Sequence, residues 1–135
     1  MFDTKIAVLV REDLATWQKL NVTAFLSSGI AADAPDCIGE PYLDRADRPW
    51  GRMFGQPVLI FAADREGLSR AAAVARERDL TRVAYVSAMF STGHDAANRE
   101  VFRAENPETM DLVGLAVRGP KKGIEKVTKG LRLHP

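Results

Sequence analysis

Apolar positions along the chain fall into short continuous runs separated by stretches with a helical period, and that alternation predicts an α/β fold. Lys5-Ile6-Ala7-Val8-Leu9-Val10 is the first such run, the mark of a strand buried on both faces. Arg11-Glu12-Asp13-Leu14 breaks it. Asp13 is placed to cap a helix whose inner positions, Trp17, Leu20, Ala24 and Phe25, recur at helical spacing, with its end expected near Gly29. From Ala31 to Gln56 no helical period is visible. Pro35, Pro41, Pro49, Gly39, Gly51 and Gly55 punctuate this stretch, so a long excursion is expected, with one short strand near Ile38–Leu43 at a sheet edge.

The pattern then tightens. Pro57-Val58-Leu59-Ile60-Phe61-Ala62 predicts a second buried strand, and Asp64 caps the helix after it. Leu68, Ala71, Ala72 and Ala75 give that helix a small-residue face suited to close approach on a sheet. Arg82-Val83-Ala84-Tyr85-Val86 predicts a third core strand, reached by a parallel crossover. A helix is expected over 96–104, a last core strand over 112–117, and a final helix started by Gly119-Pro120 with Ile124, Val127 and Leu131 as its inner stripe. The expected architecture is a single three-layer α/β domain over residues 1–135. Its small mixed sheet, mostly parallel, is flanked by helices. Open α/β sheets bind ligands beyond the carboxyl ends of their strands. Arg11, Asp13, Ser87 and Thr92 are expected there, with Lys19 and His94 nearby.

Composition changes this picture little. With 135 residues, 46% hydrophobic and 27% charged, the chain has the make-up of an ordinary globular domain. No apolar run reaches the roughly 18 residues a membrane span needs, and the first residues lack a signal-peptide layout. A single cysteine, Cys37, excludes an internal disulfide and fits a reducing compartment, so a cytoplasmic location is expected. Net charge is +1, which argues against strong non-specific nucleic-acid binding by the whole surface. The C-terminal stretch is more basic, with Arg118, Lys121, Lys122, Lys126, Lys129 and Arg132 against Glu125. It is either an anion-facing tail or the solvated side of a terminal helix.

The most chemical cluster is Gly93-His94-Asp95 with Asn98. A helix starting near Asp95 would offer free N–H groups to an anion beside His94, with Gly93 letting a ligand approach the backbone. The competing reading makes Asp95 only an N-cap and His94 a surface neighbour. Two such residues are too few for a metal site, and no cofactor is expected. Cys37 has no local base to activate its thiol, so a buried structural cysteine is expected. Trp17, Trp50 and Tyr42 could stack a base, although the spacing of Trp17 favours core packing.

Three blocks resemble the type-2 peptidyl-tRNA hydrolases: the opening strand with Arg11-Glu12-Asp13-Leu14; Gly55-Gln56-Pro57-Val58-Leu59-Ile60-Phe61 followed by Asp79-Leu80-Thr81-Arg82-Val83; and Leu112-Val113-Gly114-Leu115-Ala116-Val117-Arg118-Gly119-Pro120 closing with Glu125-Lys126-Val127-Thr128 and Leu131-Arg132-Leu133. Trp17-Gln18-Lys19-Leu20 and Thr92-Gly93-His94-Asp95 are similar to an uncharacterised bacterial branch of that fold. The resemblance implies the hydrolase fold, and it also implies what is missing. Of the enzymes' Lys-Gly-Lys helix start only Lys19 is matched; Thr92 matches, but Ala88 stands where they carry a catalytic Asp. The chain is therefore expected to be a ligand-binding module or a hydrolase of changed substrate. Lys19, Thr92, His94 and Asp95 are its candidate catalytic residues, and Arg11, Asp13, Ser87, Ser91, Gly93 and Asn98 its candidate binding residues. Alternatives are an active hydrolase of an acyl ester on tRNA or a nucleotide conjugate, and a homodimeric interaction protein whose sign would be an exposed apolar patch on the first helix. The expected partner is an unknown small molecule or RNA-derived ligand.

Overall fold

In the computed structural model, which describes residues 2–135, the elements run β1 (Thr4–Arg11), α1 (Thr16–Asp33), β2 (Tyr42–Leu43), β3 (Pro49–Trp50), β4 (Val58–Ala63), α2 (Arg65–Glu77), β5 (Thr81–Val86), α3 (Asp95–Arg103), β6 (Leu112–Pro120), α4 (Lys121–Thr128) and β7 (Arg132–Leu133). Short 3-10 turns occupy Pro35–Cys37 and Ser87–Ser91. Five strands form one sheet in the order β5-β6-β1-β4-β7. α1 packs on one face through Val22, Leu26 and Ile30. α2 and α4 cover the other through Leu68, Ala71, Ala75, Ile124 and Val127. The sequence forms these layers for simple reasons. β1 is buried from Ile6 to Val10 because helices cover both its faces. Asp64 starts α2 by accepting a 2.7 Å hydrogen bond from the Gly67 N–H. The alanines of α2 let it lie close to the sheet. No helix among the described residues is long and apolar enough to cross a membrane.

The sheet is mixed but not mostly parallel. β1 and β4 pair in parallel, while β1–β6, β5–β6 and β4–β7 are antiparallel. The cause is α3, a nine-residue helix with no buried residue. It does not cross a face of the sheet; it turns the chain at the end where β5 stops, so β6 returns antiparallel beside β5. β5 and β4 still share a direction, but β6 and β1 lie between them.

Three local expectations are also corrected. The strand expected near Ile38–Leu43 is instead half of a separate hairpin, β2 with β3, away from the main sheet. Asp44 builds it: Oδ1 accepts from the Ala46 and Arg48 N–H groups, and Oδ2 from Trp50 Nε1 and Arg48 Nε. The indole bond, followed by the Arg48 backbone bond, holds the Asp44 carboxyl below its ordinary pKa. Asp13 does not cap α1. The helix starts after Ala15, whose N–H is taken by the Gln18 side chain at 3.0 Å, and Asp13 instead binds Arg11. Finally, α1 continues past Gly29 to Asp33 and presents the opposite stripe to the one expected. Trp17 is 60% exposed, Leu20 67% and Phe25 51%.

Two glycines decide which side of α1 is buried. A Cβ at Gly114 of β6 would collide with Val22 Cγ1 and stand 2.9 Å from Leu26 Cδ1. One at Gly29 would stand 2.6 Å from Val83 Cγ1 of β5. Helix and sheet touch where side chains are absent. Gly114→Ala is therefore expected to destabilise the fold by about 1–3 kcal/mol through overpacking, read from urea unfolding. Adding Val22→Ala should make the double variant less unstable than the sum of the single costs. Strict additivity would mean that the Gly114–Val22 contact is not the constraint.

Candidate functional site

The parallel strands β1, β4 and β5 end on one side of the sheet, and the sequence-derived candidates gather there in three separate groups. The first surrounds Arg11 at the end of β1. Its guanidinium donates to Asp111 Oδ1 (2.7 Å), to the Leu112 carbonyl (3.1 Å) and to Asp13 Oδ1 (2.9 Å). Partial burial works to lower the Arg11 pKa, and the bonds to Asp111 and Asp13 more than offset it, so the group is held above its ordinary value. Arg11 thus ties the end of β1 to the start of β6 through Asp111 and Leu112, and Asp13 is held by Arg11.

The second group is Lys19 with His134. Lys19 Nζ lies 3.2 Å from His134 Nε2, and the His134 backbone N–H donates to the Ile60 carbonyl on β4. Lys19 sits two residues after Trp17, about 200° around the helix, so it faces the β4–β7 side of the sheet.

The third group forms a cleft of about 450 Å³ between α1 and the segment that follows β5. α1 contributes Trp17, Asn21 and Phe25, spaced i, i+4 and i+8 on one face. Tyr85 and Phe90 complete an aromatic wall. Trp17 meets Phe90 edge-on with centroids 5.9 Å apart, Tyr85 meets Phe90 at 5.2 Å, and Phe25 meets Tyr85 at 6.0 Å. Burial pushes the Tyr85 phenol up in pKa, and a hydrogen bond with Asn21 works against it. Thr92, Gly93, His94, Asp95 and Asn98 form the facing wall. The structure therefore brings together Thr92, Gly93, His94, Asp95 and Asn98. It separates them from Lys19, Arg11 and Asp13. Ser87, whose N–H binds the Asp111 carbonyl, and exposed Ser91 lie outside the cleft lining.

α3 starts at Asp95, as the sequence suggested, but its cap is a different residue. His94, not Asp95, is the cap: its Nδ1 accepts from the Ala97 N–H at 3.2 Å. A nitrogen that accepts carries no proton, so the imidazole hydrogen sits on Nε2, free to donate. Asp95 is the first helical residue and pairs with Arg99, one turn on. The Thr92 hydroxyl has one proton, and its oxygen lies against the Met89 carbonyl (3.0 Å) and the Asn98 side-chain amide. Nothing stands within 4 Å of where a Gly93 side chain would begin, leaving that backbone open. The aromatic wall was missed in the sequence, although the spacing of Trp17, Asn21 and Phe25 carries it.

Other candidates resolve simply. Cys37 is buried, and burial pushes its thiol up in pKa, with nearby Arg118 opposing. Ala88 is exposed. Trp50 and Tyr42 stand exposed as a cross-strand pair on the hairpin. In the basic C-terminal stretch Arg118 pairs with Asp36, and Arg132 with Glu12, while Lys122, Lys126 and Lys129 are solvated. No three His, Cys, Asp or Glu side chains gather as a metal site among the described residues.

A family model described as "Protein of unknown function (DUF2000)" matches residues 4–135. The solved structure of a protein of unknown function from Agrobacterium tumefaciens is 51% identical, with a TM-score of 0.96 and complete coverage of both chains. No curated protein matches.

The cap sets a direct test of the α3 geometry. His94→Ala should cost about 0.5–2 kcal/mol by leaving the Ala97 N–H unmet, and His94→Asn should restore most of it. Equal stability of all three chains in thermal unfolding would rule out the cap.

Proposed function

The chain belongs to the DUF2000 family, and from that premise we propose that it is a binding module for a planar, hydrogen-bonding ring, such as the base of a nucleotide or other RNA-derived ligand, held in the cleft between α1 and α3. One observation carries this reading: an indole that is 60% exposed at the mouth of a cleft already walled by Phe25, Tyr85 and Phe90. Burying that indole against a flat ligand removes apolar area from water on both partners, and stacking is worth about 1–3 kcal/mol per base. His94 Nε2–H and the N–H groups of the Asn98 amide, whose oxygen is engaged with Thr92, supply edge contacts, and open Gly93 admits the ligand to the backbone.

Ester hydrolysis of the peptidyl-tRNA type has less support. It needs a positioned water and a group to polarise the carbonyl. Ala88 offers no carboxylate, Lys19 lies against His134 on the far side of α1, and the Thr92 proton is engaged by Met89 and Asn98. Leu20, 67% exposed and outside the cleft lining, favours one other reading, a second copy of the chain packed on α1.

With Trp50→Phe as background, adenosine and uridine monophosphates should quench Trp17 fluorescence, and ribose 5-phosphate should not. Trp17→Ala should weaken base binding about tenfold or more in calorimetry. Equal quenching by ribose 5-phosphate would mean that the cleft reads phosphate, and a concentration-dependent dimer without ligand binding would favour the second copy. The same protein should release peptide from blocked aminoacyl-tRNA far more slowly than an authentic type-2 hydrolase; comparable turnover would overturn the binding reading.

A further inference from the structure

Side chains alternate across a strand, and β5 uses both of its faces. Tyr85 enters the aromatic cleft on the α1 side, while its neighbours Arg82 and Ala84 open into a different cavity on the α2 side. That cavity holds about 400 Å³, within the range of about 300–1,000 Å³ typical of small-molecule sites. It exists because the facing residues are small: Ala72 on α2 and Ala84 on β5 leave a gap that the larger side chains of α3 do not fill. Its floor is Leu115, 2% exposed, and Phe102 of α3 forms an apolar wall.

The mouth is different. Arg76 and Arg82 stand at it, with Glu108. Arg82 is held in place, donating to the Leu80 carbonyl at 3.0 Å with Asp79 at 3.6 Å. Arg76 takes part in no ion pair among the described residues. Its planar fork suits a carboxylate, and an apolar chain suits the floor behind it. With Glu108 and Asp79 nearby, a singly charged head is favoured over a dianion. We propose that this second cavity binds a small apolar carboxylic acid, its chain against Leu115 and Phe102 and its carboxylate on Arg76. The site is independent of the aromatic cleft, from which the sheet separates it.

Calorimetric titration of the full chain with hexanoate, octanoate, octanol and inorganic phosphate tests this. Octanoate should bind about fourfold tighter than hexanoate per added methylene. It should also exceed octanol by about tenfold, a preference that Arg76→Ala removes. Ala72→Leu fills the cavity and should abolish octanoate binding. Because that variant can also disturb α2, methyl resonances of Met110 in the unaltered chain give a second readout and should shift with octanoate, whether or not adenosine monophosphate is present. Octanol binding as well as octanoate, phosphate binding as well as either, undiminished binding by a folded Ala72→Leu chain, or no binding and no Met110 shift would each overturn the proposal.

Discussion

The contact of α1 with the sheet at Gly114 fixes how that helix is turned, and the cleft depends on it. Val22 and Leu26 settle where β6 has no side chain, and Gly29 settles over Val83. A helix that meets a sheet at two glycine contacts cannot roll freely about its axis, because any rotation drives a side chain into backbone. The roll then distributes the other residues of α1. Trp17, Asn21 and Phe25 line the cleft above β5, and Lys19 is carried round toward β4 and β7. The same helix turned by a quarter would bury the indole and leave no aromatic wall.

That constraint also explains what could be read from the chain. β1 and β6 were legible because the runs Ile6–Val10 and Leu112–Val117 are apolar at every position, which a strand covered on both faces needs; β4 was legible as a strand but not in its burial, for Leu59 is 38% exposed and only Ala62 and Ala63 are buried. Asp64 was legible because a cap acts within three residues. α1 was legible as a helix but not in its orientation. Apolar residues occur all around it, so Trp17-Leu20-Ala24 and Val22-Leu26-Ile30 were equally good stripes, and Gly114, more than 80 residues away, chose between them. Strand order failed for a related reason: pairing β6 between β5 and β1 is a long-range choice, and only the way α3 turns the chain makes it antiparallel.

The site was legible in part. Thr92, Gly93, His94, Asp95 and Asn98 are near neighbours in sequence, so one loop and one helix start keep them together. Arg11 and Lys19 depended on distant partners, Asp111 and His134, while Asp13 is taken by its near neighbour Arg11. A charged residue at the end of a strand is available to a ligand only if no carboxylate in the fold reaches it first.

Taking account of which groups are already satisfied also underlies the proposed role of the cleft. A hydroxyl becomes a nucleophile when a base takes its proton, and Thr92 instead lies against Met89 and Asn98. An imidazole acts as a base through an unprotonated nitrogen, and the one on His94 is spent on the Ala97 N–H. What remains open is a donor at Nε2, an accessible glycine backbone and the faces and edges of aromatic rings. Such groups suit a flat polar ring and pull a proton from nothing, and this is the physical argument behind the proposal that the cleft is a place of recognition.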